Sequence, residues 1–291
     1  MTAPTEVQTI TATDGTVYGP DLQPVFTQPR DADGAGVPAA DLTPPPPGVD
    51  ADTQARAREL ETVLRGRVRW YSDNRPRSLQ RRLGPSEVGT PCTRQLAYKV
   101  AQHPAVNHDG GDPWPSFVGT ATHAELDAVF SGTPDEWLTE QRVTVDDDLN
   151  LSGSADLLRL HADGNTVIDH KVVGAGTLRK VRTQGPSATY RTQINLYAHG
   201  FARRGIPVEY VAIAFWPRSG QLSGLQVWLR RYDQTVVDAA LARLQAVRAL
   251  HGALGPALFG QLPTAEAYCQ SCPWFQPGAT DAAIGCPGVP A

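Results

Sequence analysis

Residues 151–173 have the sequence LSGSADLLRLHADGNTVIDHKVV, two apolar runs separated by an Asp-Gly pair at 163–164. Apolar runs interrupted by such a pair are typical of a β-hairpin that closes in a two-residue turn. That turn would place Asp156 opposite Lys171, with Asp169 diagonal to Asp156 on the same face of the sheet. The stretch therefore predicts two carboxylates and one ammonium that converge on one face of a sheet.

The two carboxylates of this hairpin have apolar neighbours, so the charge that they bring together needs compensation. Hard divalent cations such as Mg²⁺ and Mn²⁺ favour carboxylate oxygens, and a metal there could activate water and stabilise charge on a phosphodiester. Lys171 would orient or help deprotonate that water, or neutralise the developing charge. The alternative is an ordinary Asp–Lys pair on a solvated face, because a D-x-K spacing is short and common.

Two further groups lie on predicted helices before and after the hairpin. His123 follows Gly119 at the start of an apolar helix, and a neutral imidazole is a good ligand for Mn²⁺-like ions. Gln193 and Tyr197 are four residues apart and share one helix face, from which they could contact a phosphate or stack on a base. Taken alone, His123 is more typical of a capping or surface histidine, and Gln193 and Tyr197 of ordinary helix residues.

The periodicity of apolar residues predicts the other elements. Steps of three and four residues predict helices over 53–71, 86–100, 117–130, 190–203 and 234–254. Short apolar runs predict strands over 137–145, 151–160, 166–173, 208–216 and 225–231. The predicted fold class is α/β, with a mixed central sheet flanked by helices and a helical, cysteine-bearing periphery.

The charge is distributed unevenly along a chain of 291 residues whose net charge is −4. Residues 1–55 hold eight acidic residues and one arginine, whereas residues 56–100 hold eleven basic and four acidic residues. A basic stretch on a folded body fits a phosphate-backbone partner, although a solvated arginine-rich face is the plainer interpretation. The arginines that we predict to contact DNA are Arg75, Arg77, Arg81, Arg82 and Arg94.

The N-terminal region has the composition of an arm rather than of a packed domain. Residues 1–52 are rich in Pro, Gly, Asp and Thr, which predicts a disordered or loosely attached arm before a domain spanning residues 53–291. The first residues lack the basic and apolar regions of a signal peptide, and no run approaches the roughly 18 apolar residues that indicate a membrane span. We therefore expect a cytoplasmic protein with no membrane partner.

Four cysteines indicate a metal or cluster site. Three lie in the pattern Cys269-x₂-Cys272-x₁₃-Cys286, and Cys92 lies far upstream. A structural disulfide is not expected in a reducing compartment, and four thiols suit either a zinc Cys₄ site or a [4Fe–4S] cluster. Spacing alone leaves both open. Either site would connect the two ends of the chain and restrict the unfolded state.

The order of the motifs G-x-x-x-H, G-x-x-D, D-x-K and Q-x-x-x-Y resembles the RecB-like branch of the PD-(D/E)xK nuclease superfamily. The resemblance implies a restriction-endonuclease-like core. It also implies that His123, Asp156, Asp169 and the backbone carbonyl of His170 hold Mg²⁺ or Mn²⁺. By the same resemblance Lys171 assists the water, and Gln193 and Tyr197 help to place the DNA. The first acidic motif, Gly-Ser-Ala-Asp, departs from the superfamily pattern because no proline precedes the aspartate.

The layout of one distant cysteine and a C-terminal triplet resembles the iron–sulfur members of that branch. These include the AddB-type helicase-nucleases and the CRISPR-associated exonucleases of the Cas-four type, whose stand-alone, phage-encoded members are similar in size. The segment from Gly84-Pro85-Ser86-Glu87 to Cys92-Thr93-Arg94 is similar to the family's, although the gap before Cys286 is longer. The resemblance implies an iron–sulfur region built from residues around 84–100 and 263–288.

These observations together predict a DNA exonuclease that acts on single-stranded DNA and carries a structural [4Fe–4S] cluster. One alternative is a non-catalytic DNA-binding or adaptor subunit of a recombination or CRISPR-adaptation complex. The other is a zinc-stapled structural protein whose acidic residues are ordinary. A helicase or recombination partner and a homo-oligomer are both compatible with the sequence.

Overall fold

The computed structural model of the protein describes residues 50–74, 82–107 and 111–289, together with the backbone of three short strands before residue 50. The chain divides into two compact units, residues 1–80 and 81–291. The first unit contains β1 (Ile10–Thr11), β2 (Val17–Tyr18) and β3 (Pro24–Phe26), which form a small antiparallel sheet in that order. Of the rest of the predicted arm, residues 1–52, the structure describes only residues 50–52, where the next helix begins.

A long helix, α1 (Ala51–Asp73), also belongs to the first unit and confirms the helix predicted over 53–71. Asp50 caps its N-terminus by accepting a hydrogen bond from the Thr53 amide at 2.9 Å. No helix among the described residues is long and apolar enough to cross a membrane.

The second unit alternates helices and strands. Its helices in the described ranges are α2 (Pro85–Val88), α3 (Thr93–Val100), α4 (Trp114–Ser131), α5 (Ala175–Gln184), α6 (Ala188–Arg203) and α7 (Gln234–Leu254). Its strands are β4 (Trp137–Asp146), β5 (Leu151–Arg159), β6 (Thr166–Val173), β7 (Tyr210–Pro217) and β8 (Gln226–Arg231).

The five strands form one mixed sheet in the order β4-β5-β6-β7-β8. Neighbouring strands are antiparallel except β6 and β7, which are parallel because α5 and α6 form the crossover between them. Helices flank this sheet, which confirms the predicted α/β class with a mixed central sheet. Strand β6 lies at the centre of this sheet and carries Asp169 and Lys171.

The turn between β5 and β6 differs from the predicted two-residue turn. Leu157 pairs with Ile168, so Asp156 lies level with Asp169 rather than opposite Lys171. The two-residue turn at 163–164 does not form, because Asn165 organises a wider loop: its Oδ1 accepts from the His161 amide at 3.1 Å. The register therefore shifts by two residues. A shift of two preserves the face of every side chain, so the predicted convergence of charged groups survives.

Helix α6 packs on the sheet through a face that includes Ile194 and Phe201, both fully buried. The helix approaches β4 closely at Gly200, where a Cβ atom would lie only 2.8 Å from a methyl carbon of Val143. A second apolar cluster joins α3 and α7 through residues such as Leu96 and Leu244. Helix α6 is thus fixed firmly between the sheet and the α3–α7 layer.

Two helix predictions need correction. The helix predicted over 86–100 is two helices, α2 and α3, separated by a loop that contains Pro91, and Cys92 caps the second with its sulfur. Helix α5 was missed because its sequence, AGTLRKVRTQ, is mostly polar and shows little apolar periodicity.

Candidate active site

Strand β6 and helix α6 bring three predicted site residues together, namely Asp169, Lys171 and Gln193. Asp169 is 2% exposed, and the Lys171 ammonium lies 2.6 Å from its Oδ2 atom. Gln193 on α6 donates a hydrogen bond from Nε2 to Asp169 Oδ1 at 2.9 Å. The Oδ2 atom accepts no hydrogen bond of normal angle among the described residues, so the Lys171 charge is its compensation.

Asp156 lies beside this pair and carries the second carboxylate. Its Oδ2 atom accepts a hydrogen bond from the His170 backbone amide at 2.7 Å and lies 3.6 Å from His123 Nδ1. Burial, followed by the negative charge of Asp169, raises the pKa of Asp156 to about 8. In the absence of a cation, this carboxyl therefore holds a proton at neutral pH.

The lysine of the D-x-K motif stays cationic. Burial by itself lowers the pKa of Lys171, but Asp169 and Asp156 outweigh burial, and the net pKa is raised. The Lys171 Nζ atom also lies 5.1 Å from the centre of the Tyr190 ring, which is a cation–π contact. Tyr190 was not predicted as a site residue, and it precedes the Q-x-x-x-Y motif on α6.

His123, Glu140 and Asp156 each offer one ligand atom, and these three atoms lie within 4.8 Å of one another. Two carboxylates and an imidazole are a donor set that suits Mn²⁺ and related ions, so the residues fit a divalent metal. Glu140 was missed by the sequence reasoning. It lies in β4 with φ of +48°, between Thr139 and Gln141, which pair with β5 on either side of Asp156. A register prediction for β4 and β5 would have found it.

His170 lies between Asp169 and Lys171 in sequence, but its side chain points to another environment. Its ring is buried, and its Nδ1 atom accepts a hydrogen bond from Trp216 Nε1 at 3.2 Å. Burial, with the nearby His123 and Lys171, lowers the pKa of His170 to about 4, so the ring is neutral. Its backbone carbonyl remains a predicted metal ligand.

Gln193 and Tyr197 share one face of α6, as predicted, but both are buried. Gln193 contacts Asp169, and Tyr197 packs in the core behind Gly153, where a Cβ would lie 3.1 Å from the Tyr197 ring and 2.9 Å from Pro85. The glycine of G-x-x-D is therefore required by close packing. The contacts of Gln193 and Tyr197 with DNA stay predictions.

The four cysteines converge on one cavity. Cys92, Cys269, Cys272 and Cys286 line it together with apolar groups that include Tyr98 and Phe275, and none forms a disulfide. The C-terminal loop reaches α3 because Trp274 stacks on Tyr98 with ring centres 5.2 Å apart. The segments around 84–100 and 263–288 thus meet, as the iron–sulfur prediction requires.

Hydrogen-bond donors surround the sulfur atoms. Gln95 donates from its backbone amide to Cys92 Sγ at 3.4 Å and from Nε2 to Cys272 Sγ at 3.6 Å. Arg94 Nη1 lies 3.7 Å from Cys286 Sγ. Burial raises the pKa of Cys272, although the donors oppose that effect. Donors around buried sulfurs suit thiolates that bind a metal or a cluster.

The arginines predicted to contact DNA have different surroundings. Arg94 donates to the carbonyls of Gly260 and Leu262 as well as to Cys286, so its guanidinium helps to fold the cysteine region. Arg82 is exposed. The other three, Arg75, Arg77 and Arg81, lie outside the described residues. The contact of each arginine with DNA stays a prediction.

Comparisons with known proteins find structural likeness alone. No family model and no curated protein matches the chain. A crystal structure of an alkaline exonuclease, LHK-Exo, from Laribacter hongkongensis aligns over 62% of this chain and 93% of its own, at 14% identity and a TM-score of 0.44. The same exonuclease in complex with dAMP aligns over the same shares, at 15% identity and a TM-score of 0.45.

Proposed function

We propose that the protein is a metal-dependent nuclease that hydrolyses phosphodiester bonds of single-stranded DNA from an end. The observation that carries the proposal is the arrangement of Asp169 and Lys171 as a buried ion pair beside the group of His123, Glu140 and Asp156. Asp169, Asp156 and Lys171 have largely buried side chains, and holding these ionisable groups together away from water is costly unless they serve a ligand.

His123, Glu140 and Asp156 would hold the metal, with Asp169 and the His170 carbonyl as the further ligands that the family resemblance implies. A bound Mg²⁺ or Mn²⁺ would supply an activated water and stabilise negative charge on the phosphate. Asp156 must release its proton before it can serve as a ligand, because its pKa is raised to about 8.

Lys171 keeps its proton, since its net pKa is raised. It therefore acts as a fixed positive charge and hydrogen-bond donor toward the phosphate or the water, rather than as a base. Gln193 holds the orientation of Asp169 through the 2.9 Å hydrogen bond. Tyr190, over the Lys171 ammonium, restricts the directions in which that ammonium can point.

The test is degradation of end-labelled single-stranded DNA with Mn²⁺ by the wild-type protein and by Asp169→Asn. Asp169→Asn keeps the side-chain volume but removes the charge that Lys171 compensates. The matched control is Asp163→Asn, an exposed carboxylate in the loop of the same hairpin. We expect degradation by the wild type and the control, and loss of product with Asp169→Asn. Absence of cleavage by a folded, metal-loaded wild type would instead favour a non-catalytic DNA-binding subunit.

The four cysteines are proposed to hold a [4Fe–4S] cluster that stabilises the fold. The support is their convergence on one cavity and the donors from Gln95 and Arg94 to three of the sulfurs. Such donors tune clusters and also suit zinc, so the identity of the metal needs its own measurement.

Iron, sulfide and zinc are measured on protein purified without oxygen, and Cys269→Ala is compared with the wild type by visible absorbance and thermal unfolding. We expect iron and sulfide in the wild type, with loss of both colour and stability in the variant. Stoichiometric zinc without iron would replace the cluster with a zinc site. An unchanged melting temperature in Cys269→Ala would refute the stabilising role.

A further inference from the structure

A large groove lies on the side of α6 that faces away from the candidate active site. Its volume is about 870 Å³, and its walls come from α6, β8, α7 and the segment 88–91. Four arginines line this arginine groove, namely Arg191, Arg230, Arg231 and Arg243, against one acidic residue, Asp233.

The positive charge of the groove is not neutralised from within. Asp233 caps α7 by accepting from the Thr235 amide at 2.9 Å and from the Thr235 hydroxyl at 2.6 Å. Arg243 is held in place by the Thr90 carbonyl at 2.6 Å, a neutral acceptor. The Arg191 side chain is exposed, and among the described residues it has no hydrogen bond or ion pair. The groove therefore favours an anionic ligand.

An aromatic ring lies among these arginines. Trp228 on the edge strand β8 forms part of the groove wall, and the Arg230 guanidinium lies 5.2 Å from the centre of its indole. Arginines interleaved with an aromatic ring suit an unpaired strand, whose phosphates pair with the arginines while a base stacks on the ring. A duplex has no exposed base face to offer, and an acidic peptide would not use the indole.

The groove and the candidate active site are connected through one end of α6. Gln193 faces Asp169, whereas Arg191 and Asn195, each about 160° from it around the helix, face the groove. Tyr190, which contacts Lys171, is the residue next to Arg191. To enter the groove, a strand at Lys171 would cross the N-terminal end of α6, a helix about 10 Å wide.

We propose that the arginine groove binds the phosphate backbone of an unpaired nucleic-acid strand, outside the candidate active site. In the nuclease this strand would be the continuation of the substrate. Binding in the groove does not depend on catalysis, so it is measured with EDTA present, and its failure is distinct from a failure of the nuclease proposal.

The probe is a fluorescent oligothymidylate whose anisotropy is measured over a range of salt concentrations. The test variant is Arg191→Gln/Arg230→Gln, which removes two exposed charges and leaves the structural Arg243 in place. The control is Arg142→Gln/Arg204→Gln, which removes two exposed charges away from the groove. Thermal unfolding checks that both variants fold.

Each phosphate contact with a single strand contributes about 0.7 to the slope of log K against log salt, so the test variant should lower that slope by about 1.4. The control should not change it. Trp228→Leu, which keeps an apolar side chain, should weaken binding about fivefold or more through lost stacking. An equal slope change in both double variants, or none in either, would overturn the proposal. So would equal competition by polyglutamate of the same charge, which would point to an acidic polypeptide.

Discussion

The ionisation of Asp156 would make the proposed metal binding at His123, Glu140 and Asp156 depend on pH. Its pKa is raised to about 8 by burial and by Asp169, so most of the carboxyl is protonated below that pH. A divalent ion needs the ionised form, and its binding therefore releases a proton. The affinity for Mn²⁺ should rise with pH until the carboxyl is ionised without the metal, and then become constant.

The size of the effect follows from the pKa. With a pKa near 8, about 3% of the carboxyl is ionised at pH ~6.5 and about 24% at pH ~7.5. The Mn²⁺ affinity should accordingly increase about eightfold across that interval through Asp156, which would release close to one proton per ion. At an ordinary aspartate pKa of about 3.9, ionisation would be complete throughout, and the same interval would give no change from this group.

Calorimetric titration of Mn²⁺ into protein freed of divalent ions measures both quantities, with two buffers of different ionisation enthalpy to count protons. Asp156→Asn should bind more weakly and release about one proton fewer per ion than the wild type, because the amide does not titrate. Asp163→Asn, exposed in the loop of the same hairpin, should behave as the wild type. A wild-type affinity that is constant between these pH values, or binding without proton release, would refute the reasoning.

Three further predictions concern stability, measured by denaturant unfolding. Gln193→Leu leaves the buried Asp169 carboxylate without its 2.9 Å donor, and we expect a loss of about 1.5–3 kcal/mol. Gly153→Ala places a methyl 2.9 Å from the Pro85 ring and should cost about 1–3 kcal/mol. The pKa of His170 is lowered to about 4, so the unfolded chain takes up the proton first. The free energy of unfolding of the wild type should therefore fall relative to that of His170→Asn as the pH falls from about 6.5 toward 4. The difference should change by up to ~1.4 kcal/mol per pH unit.

The controls for these variants use similar residues without the contact. Gln221→Leu changes an exposed glutamine, and Gly252→Ala adds a methyl in α7 where no atom lies within 4 Å, so neither should destabilise. The His170 comparison is made as a difference between two proteins, because the raised pKa of Asp156 gives the opposite pH slope over the same range. If Gln193→Leu or Gly153→Ala lost no more stability than its control, the assigned contact would be contradicted. If the difference in stability between the wild type and His170→Asn did not change with pH, a neutral His170 would be contradicted.

The sequence predicted those elements whose apolar pattern has a single interpretation. The bounds of β6 and α7 match the predicted 166–173 and 234–254, because one is a short apolar run and the other a long periodic segment. The convergence of Asp156, Asp169 and Lys171 was also predicted, although the predicted two-residue turn was wrong. It survived because the error in register was two residues, and side chains in a strand alternate with a period of two.

The unpredicted features depend on tertiary structure. Glu140 comes opposite Asp156 only once the register of β4 on β5 is fixed, and its left-handed backbone conformation is not signalled by its local sequence. The burial of Tyr197 follows from the packing of Pro85 against Gly153, which are 68 residues apart in the chain. The arginine groove likewise collects Arg191, Arg230 and Arg243 from three separate elements, whereas charge counting directed attention to the basic stretch near residue 80.

The cysteine region and the arginine groove are joined where Pro91 of the groove wall meets Cys92, and this has a consequence for what a cluster would do. The segment 88–91 lines the groove and leads directly into Cys92, and Arg243 holds the Thr90 carbonyl at 2.6 Å. Asp169 and Lys171, by contrast, are held by β6 and by Gln193 of α6. A cluster bound at Cys92 would therefore stabilise the groove wall first, and its loss should weaken binding of the strand before it disturbs the carboxylate site.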